Sequence, residues 1–252
     1  MRSIAQLIDL SGQVAIVTGA GQGIGFGIAN RLAEAGAAMV INDIDPTNAG
    51  RAIEQLQRPG AKLASAVGDV SQRAGAQRAL TVALETFGRV DILINNAAIY
   101  PRYPFLEISE DQWDRVMAIN LRGPLLCSQV IARHMIDRKQ GGKIVNISSR
   151  AGLGATQDDL IAYATSKAGL LHYTRVLARS LAAHQIRVNA IAPGSIQTEG
   201  SIVEKKVAVE KIPLARRGQP DDVARAALFL VSDLAEWVTG ITLSVDGGTS
   251  VI

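Results

Sequence analysis

The chain alternates short apolar runs with longer amphipathic ones. Val14, Ala15, Ile16 and Val17 form an apolar run long enough for one buried strand. The turn Thr18-Gly19-Ala20-Gly21-Gln22-Gly23-Ile24-Gly25 breaks it, and a helical pattern then runs from Ile24 to about Ala35, where Gly36 stops it. The same reading predicts further strands over 39–42, 62–67, 90–94, 143–147, 187–191 and 242–245. Further helices are predicted over 47–57, 71–87, 109–139, 161–183 and 221–231. Ser71 is the expected N-cap of the 71–87 helix. Ser109 and Gln112 fit a capping box, and Pro124 should bend or split the helix they open.

Seven strands alternating with helices predict an α/β fold. We expect a single doubly wound, Rossmann-like domain over 1–252, its seven-stranded parallel sheet covered by helices on both faces. Ser195 to Pro213 is the one irregular stretch that looks separable, and it reads as a lid over the substrate. In such a fold, ligands bind beyond the carboxyl ends of the strands. The polar signatures fall there: Gly19 to Gly25, Asp43, Asp69, Asn95-Asn96, Ser149 and Pro193-Gly194.

Strand, glycine turn, helix is the layout that takes a pyrophosphate. The glycines let backbone approach the phosphates, and the helix N-terminus offers unpaired N–H groups and partial positive charge. Asp43 follows Gly25 by 18 positions, where a carboxylate accepts hydrogen bonds from the adenosine ribose and repels a 2′-phosphate. Asn42 and Ile44 flank it and Gln22 occupies the turn, so no adjacent cation invites that phosphate. NAD is therefore the expected cofactor, in preference to NADP.

Tyr163 and Lys167 stand four apart at the start of a predicted helix and so share a face. A free phenol has a pKa of about 10, too high for a base near neutrality. A fixed cation close by favours the phenolate. Such a tyrosine takes a proton from an alcohol as hydride leaves, or gives one to a ketone. Ser149 could donate a hydrogen bond to the same oxygen.

With these residues assembled, the chain resembles a short-chain dehydrogenase/reductase over nearly its whole length. The family's glycine signature matches Thr18 to Gly25, with Gly19, Gln22, Gly23, Ile24 and Gly25 at the cofactor. Its adenine-contacting acid matches Asp69, in GDV, with Val70 beside it. Asn96 and Ala97 stand in the segment that follows the fourth strand. The YxxxK pair is Tyr163 and Lys167, and SxxG matches Ser149 rather than Ser148. The family's asparagine matches Asn120, in AINLRG. The PG segment over the nicotinamide matches Pro193-Gly194, followed by Ile196 and Thr198. The resemblance implies a Ser-Tyr-Lys-Asn tetrad. Tyr163 is its acid/base, Lys167 holds the nicotinamide ribose, Ser149 orients the substrate oxygen and Asn120 anchors a water in a proton relay. It also implies a homotetramer that pairs the helices over 109–139 and 161–183.

Two departures bear on the pocket. The usual NNAG reads Asn95-Asn96-Ala97-Ala98. Ser149 and Tyr163 stand 14 positions apart, one more than the family pattern, with Asp158-Asp159 between them. Candidate substrate residues are Tyr100, Arg150 and Ile161, with Ile99, Arg102 and Ala151 nearby. Arg102 and Arg150 could bind a carboxylate, but loop anchoring is the plainer reading of each. Relatives that reduce acyl-carrier thioesters carry arginines where this chain has Gln140 and His184. The expected reaction is hydride transfer between NAD(H) and a small secondary alcohol or ketone, polyols and sugars included. The alternatives are a 3-oxoacyl-thioester reductase of the same family and a dinucleotide sensor without turnover.

Composition narrows the rest. A hydrophobic fraction of 48% in 252 residues supports a full core, and a net charge of +3 is too slight to argue for nucleic acid. No run of apolar residues is long enough to span a membrane. Met1 to Leu10 lacks the apolar core and cleavage site of a signal peptide, so a cytoplasmic setting is expected. The single cysteine, Cys127, excludes an intrachain disulfide and reads as a packing residue. No metal site is expected.

Overall fold

The computed structural model describes residues 1–154, 157–198 and 209–251. Seven strands, β1 (Val14–Thr18), β2 (Ala38–Asp43), β3 (Leu63–Val67), β4 (Ile92–Asn95), β5 (Gly142–Ile147), β6 (Ile186–Pro193) and β7 (Thr242–Val245), form one parallel sheet. Its order is β3-β2-β1-β4-β5-β6-β7, which reverses direction of growth between β1 and β4. A ligand crevice opens at such a switch point. The helices are α1 (Ile4–Ile8), α2 (Gly23–Glu34), α3 (Pro46–Leu56), α4 (Arg73–Phe87), α5 (Glu110–Met117), α6 (Gly123–Arg138), α7 (Ile161–Leu181) and α8 (Pro220–Val231).

Side chains of β1 alternate between the two faces, as the pleat requires. Ala15 and Val17 join one core with Ile28 and Leu32 of α2 and Leu230 of α8. Val14 and Ile16 join the other with Leu80 of α4 and Ile131 and Met135 of α6. Both faces of the sheet are thus covered, which is why its central strands read as unbroken apolar runs rather than as alternation. At the amino end of the sheet, buried Asp91 accepts from the Val14 N–H at 2.9 Å and from Arg89 and Arg138. These bonds fix the start of β1 against β4. Burial pushes the Asp91 carboxyl up, but the hydrogen bonds from Arg89, the Val14 N–H and Arg138, with the charge of Arg138, together hold it below the usual aspartate range.

Three elements differ from the sequence reading. The five-residue α1, opened by a capping box between Ser3 and Gln6, is too short for a periodic signal. The 71–87 helix starts at Arg73 with Gln72 as N-cap, and Ser71 lies in the turn before it, where its N–H donates to the Asp69 carboxylate at 2.8 Å. The 109–139 helix keeps the Ser109–Gln112 capping box but divides before Pro124, at a π-helical segment, Ala118–Arg122. Proline has no N–H for the carbonyl four residues back, that of Asn120, and its ring crowds it. The strain appears one turn upstream, where the Gly123 N–H reaches back to the Ala118 carbonyl. Residues 199–208, most of the stretch read above as a lid, lie outside the described residues.

Candidate active site

The glycine turn is locked in place before any ligand arrives. The Thr18 hydroxyl receives the N–H groups of Asn96 and Ala97 at 3.0 and 3.1 Å. In return the Asn96 amide donates to the Thr18 and Gly19 carbonyls at 2.9 and 3.0 Å. These bonds lace the carboxyl ends of β1 and β4 together across the switch point. A Cβ at Gly25 would collide with the Gly19 carbonyl oxygen and the Asn96 amide, so only glycine lets α2 start this close to the turn. The first intrahelical bond of α2 is Phe26 N–H to Gln22 at 3.2 Å, and the Gln22 side chain makes no capping bond. The N–H groups of Gly23, Ile24 and Gly25 precede that bond and are therefore available to an anion.

A cleft of about 400 Å³ runs from this turn along the carboxyl ends of the strands. Gly19, Gln22, Gly23, Ile24, Gly25, Asp43, Asp69, Val70, Asn96, Ala97, Tyr100, Tyr163, Lys167 and Thr198 all line it. Pro193, Gly194, Ile196, Asn120, Ser149, Arg150 and Ile161 are not on its wall. Gly194 is tied to β7 through its N–H and the Val245 carbonyl at 3.0 Å, and Ile196 bridges to Gly218. Asn42, Ile44, Gly68, Ile119, Ile147, Ser148 and Arg115 line the cleft without having been singled out from the sequence. Ile44 and Gly68 adjoin the named acids. Arg115 and Ile119 stand four apart just before Asn120, a periodicity that could have been read.

Asp43 is 8% exposed and occupies the β2 end of the cleft. One carboxylate oxygen accepts from the Gly21 N–H at 2.9 Å and the other from the Asp45 N–H at 3.1 Å. Each oxygen keeps a lone pair for a further donor. Asp69 is oriented by its bond from the Ser71 N–H.

Tyr163 and Lys167 face the same cleft from the first turns of α7. The Lys167 Nζ lies 5.7 Å from the centroid of the Tyr163 ring and donates to the Ile147 carbonyl, the end of β5, at 2.8 Å. Lys167 is 2% exposed, and burial pushes its pKa down to about 7. The ring of Tyr100 meets that of Tyr163 edge-on at 6.2 Å.

Behind them, neighbouring groups hold α7 in register. The Ser148 hydroxyl donates to the Lys167 carbonyl at 2.8 Å. A Cβ at Gly152 would sit 2.7 Å from the Lys167 carbonyl carbon, so the turn after Ser149 packs directly on the α7 backbone. Ser149 caps that turn by accepting from the Ala151 N–H at 3.1 Å. Asn120 is fully buried in the π-helical segment. Its side chain accepts from the Ile99 N–H at 2.9 Å and donates to the Ile99 carbonyl at 2.8 Å and to Ser166 at 3.1 Å. The Asn120 side chain is thus a strut between the Ile99 backbone and Ser166.

The longer Ser149–Tyr163 connection is also accounted for. Asp159 is clasped by Arg102 at 2.8 Å and its carbonyl accepts from the Tyr103 N–H at 2.8 Å, while Arg102 also bonds Gln157. Arg102 anchors one rim loop to the other. Burial raises the Cys127 thiol to about 12, which suits a packing residue.

Residues that fit a dinucleotide and a proton-transferring tyrosine therefore share one crevice. The family model described as enoyl-(acyl carrier protein) reductase matches residues 19–250. The (2S)-[(R)-hydroxy(phenyl)methyl]succinyl-CoA dehydrogenase subunit BbsD of Thauera aromatica is 37% identical over 97% of this chain and 99% of its own. The 5-keto-D-gluconate 5-reductase of Escherichia coli (strain K12) is 38% identical over 97% of this chain and 98% of its own. The crystal structure of a gluconate 5-dehydrogenase from Burkholderia cenocepacia J2315, in complex with NADP and tartrate, is similar at a TM-score of 0.92. It is 35% identical, over 99% of this chain and all of that one.

The chain belongs to the short-chain dehydrogenase/reductase family. As a short-chain dehydrogenase/reductase it is an oxidoreductase of a family that binds a nicotinamide dinucleotide. Among the described residues, no helix of this family member is long and apolar enough to cross a membrane.

Proposed function

We propose that this single domain transfers hydride between NAD(H) and a small secondary alcohol or ketone of the polyol or sugar type. The observation that carries the reading is the Lys167 Nζ held 5.7 Å from the Tyr163 ring centroid, in the crevice that begins at the glycine turn. Bound nicotinamide supplies a hydride acceptor or donor. In the oxidising direction Tyr163 takes the hydroxyl proton of the carbinol, and in reduction it returns one to the ketone oxygen. Lys167, when charged, favours the phenolate and reaches the nicotinamide ribose. Ser149 accepts from the Ala151 N–H and donates a hydrogen bond to the substrate oxygen, which it orients without giving up its proton. The Asn120 carbonyl, which Pro124 cannot cap, holds a water that passes protons onward. Pro193, Gly194, Ile196 and Thr198 close over the nicotinamide side. Tyr100, Arg150 and Ile161 shape the substrate side. Sugar-acid relatives support the substrate class, and the protein is read as cytoplasmic.

Asp43 supports NAD over NADP, because a 2′-phosphate would meet an oriented carboxylate. We expect NAD to give the higher kcat/KM in a screen of polyols, sugars and sugar acids followed at the reduced-nicotinamide absorbance. Asp43→Ala should narrow the gap between cofactors about tenfold or more, the scale of one or two charge-assisted hydrogen bonds. Equal kcat/KM for the two cofactors in the unsubstituted enzyme refutes the preference, and inertness to the whole screen refutes the reaction.

The working form is a homotetramer. An apolar hollow of about 850 Å³, lined by Leu121 and Leu125 on one side and Tyr173 and Val176 of α7 on the other, supports pairing of these helices between copies. Leu125 and Val176 are exposed in the single chain. Solution mass measured by light scattering should be four times that of one chain, and a monomer would count against it.

A further inference from the structure

The cleft carries an uneven charge. Its β2 and β3 ends present Asp43 and Asp69, and among the described residues only two cations line it, Lys167 and Arg115. Lys167 is buried and its Nζ is committed to the Ile147 carbonyl. Arg115 is exposed near the end of α5, one turn before Ile119, and has no ion pair among the described residues. A guanidinium on the wall of a cleft with no carboxylate partner has the donor geometry to take a planar anion in two parallel hydrogen bonds.

Its position points to substrate rather than cofactor. Arg115 lines the edge of the 850 Å³ hollow described above and also a cavity of about 450 Å³ that shares Ala98, Ile99 and Tyr100 with the cleft. Tyr100 is the common wall, and its ring rests edge-on against Tyr163. Tyr163, Tyr100 and Arg115 therefore line one cleft, with Tyr100 in contact with Tyr163 and sharing the smaller cavity with Arg115. The other two arginines considered for this part are placed differently. Arg102 is held by Asp159, and Arg150 is not on the cleft wall.

We propose that Arg115 is the anion anchor of the substrate site, receiving the carboxylate of a hydroxy acid or keto acid whose reacting carbon lies at Tyr163. The inference rests on the reaction proposed above and narrows its substrates to acids. Ionic attraction at an exposed site is screened, so the preference it confers is modest, about tenfold in affinity.

The test uses 5-keto-D-gluconate and L-sorbose, which is the same six-carbon ketone with a hydroxymethyl group in place of the carboxylate. Both are titrated into the NADH complex of Tyr163→Phe, where turnover is blocked, and binding is read from NADH fluorescence. The acid should bind about tenfold more tightly than L-sorbose. Adding Arg115→Ala should remove that preference without moving the Kd of NADH or of L-sorbose, and Arg115→Lys should retain part of it. A preference that survives Arg115→Ala, an equal weakening of both ketones, or no preference in Tyr163→Phe would overturn the assignment. Turnover by the unsubstituted enzyme tests the reaction itself, and binding alone tests the anchor, so the two failures are distinct.

Discussion

Tyr163→Phe should abolish turnover while leaving NADH binding within about twofold. The substitution removes one hydroxyl and keeps the ring, so the edge-on contact with Tyr100 and the packing under Lys167 survive. What is lost is the proton acceptor, and a positioned acid/base contributes about 10²- to 10⁴-fold in rate. We expect kcat to fall by about 10³-fold or more on the best alcohol of the screen, with melting temperature little changed. Single-turnover absorbance together with NADH fluorescence titration checks both halves. Residual turnover above about a tenth of the original rate would remove Tyr163 from the chemistry. Loss of NADH binding together with turnover would place its role in holding the cofactor.

Lys167→Met should inactivate the enzyme and stabilise it. The ammonium is buried, its pKa pushed down to about 7, and it donates to a neutral carbonyl, that of Ile147. The unfolded chain holds this proton up to a pKa of about 10.4. Between about pH 7 and pH 10.4 the unfolded state therefore binds more protons, and the stability of the unsubstituted protein rises with pH through that window. Below about pH 7 the whole cost of burying the charge is present. A shift of this size corresponds to about 5 kcal/mol at most, and leaving the Ile147 carbonyl without its donor offsets about 1–3 kcal/mol of that. The net gain for methionine is on the order of 2 kcal/mol at pH 6, a rise of roughly 4–8 °C in melting temperature for a chain of this size. The gain should shrink by pH 9, where the lysine sheds its proton in the fold. Calorimetry across that range decides it: a gain independent of pH, or a loss at pH 6, contradicts a desolvated ammonium. The same buried cation that favours the phenolate is thus held at a cost to the fold, the usual tension between site and scaffold.

Much of the architecture is written in local pattern. The seven strands fall within a few residues of their predicted spans, and the central ones are continuous apolar runs because strands buried on both faces need apolar sequence throughout. The capping box at Ser109 is equally local, since its two bonds lie within four residues. The expected N-cap at Ser71 differs from the structure for a related reason. Asp69 instead closes a turn on the Ser71 N–H, which draws Ser71 into the segment before the helix and leaves Gln72 at its start, a choice that propensity alone does not make. At Pro124 the sequence shows that the helix must yield but not where. The π-helical turn falls around Asn120, where Ile99 and Ser166 offer the side chain its partners.

Sequence by itself determined the strand–turn–helix that opens the crevice, the acid after β2 and the Tyr163–Lys167 spacing, because each is set by chemistry within a few residues. Only the tertiary structure decided what those groups meet. It placed Lys167 against the Ile147 carbonyl, made the Asn120 side chain a strut, spent Arg102 on Asp159 and left Arg115 facing the cleft. The physical reason is that a side chain's charge and burial depend on partners remote in sequence, which local pattern does not encode.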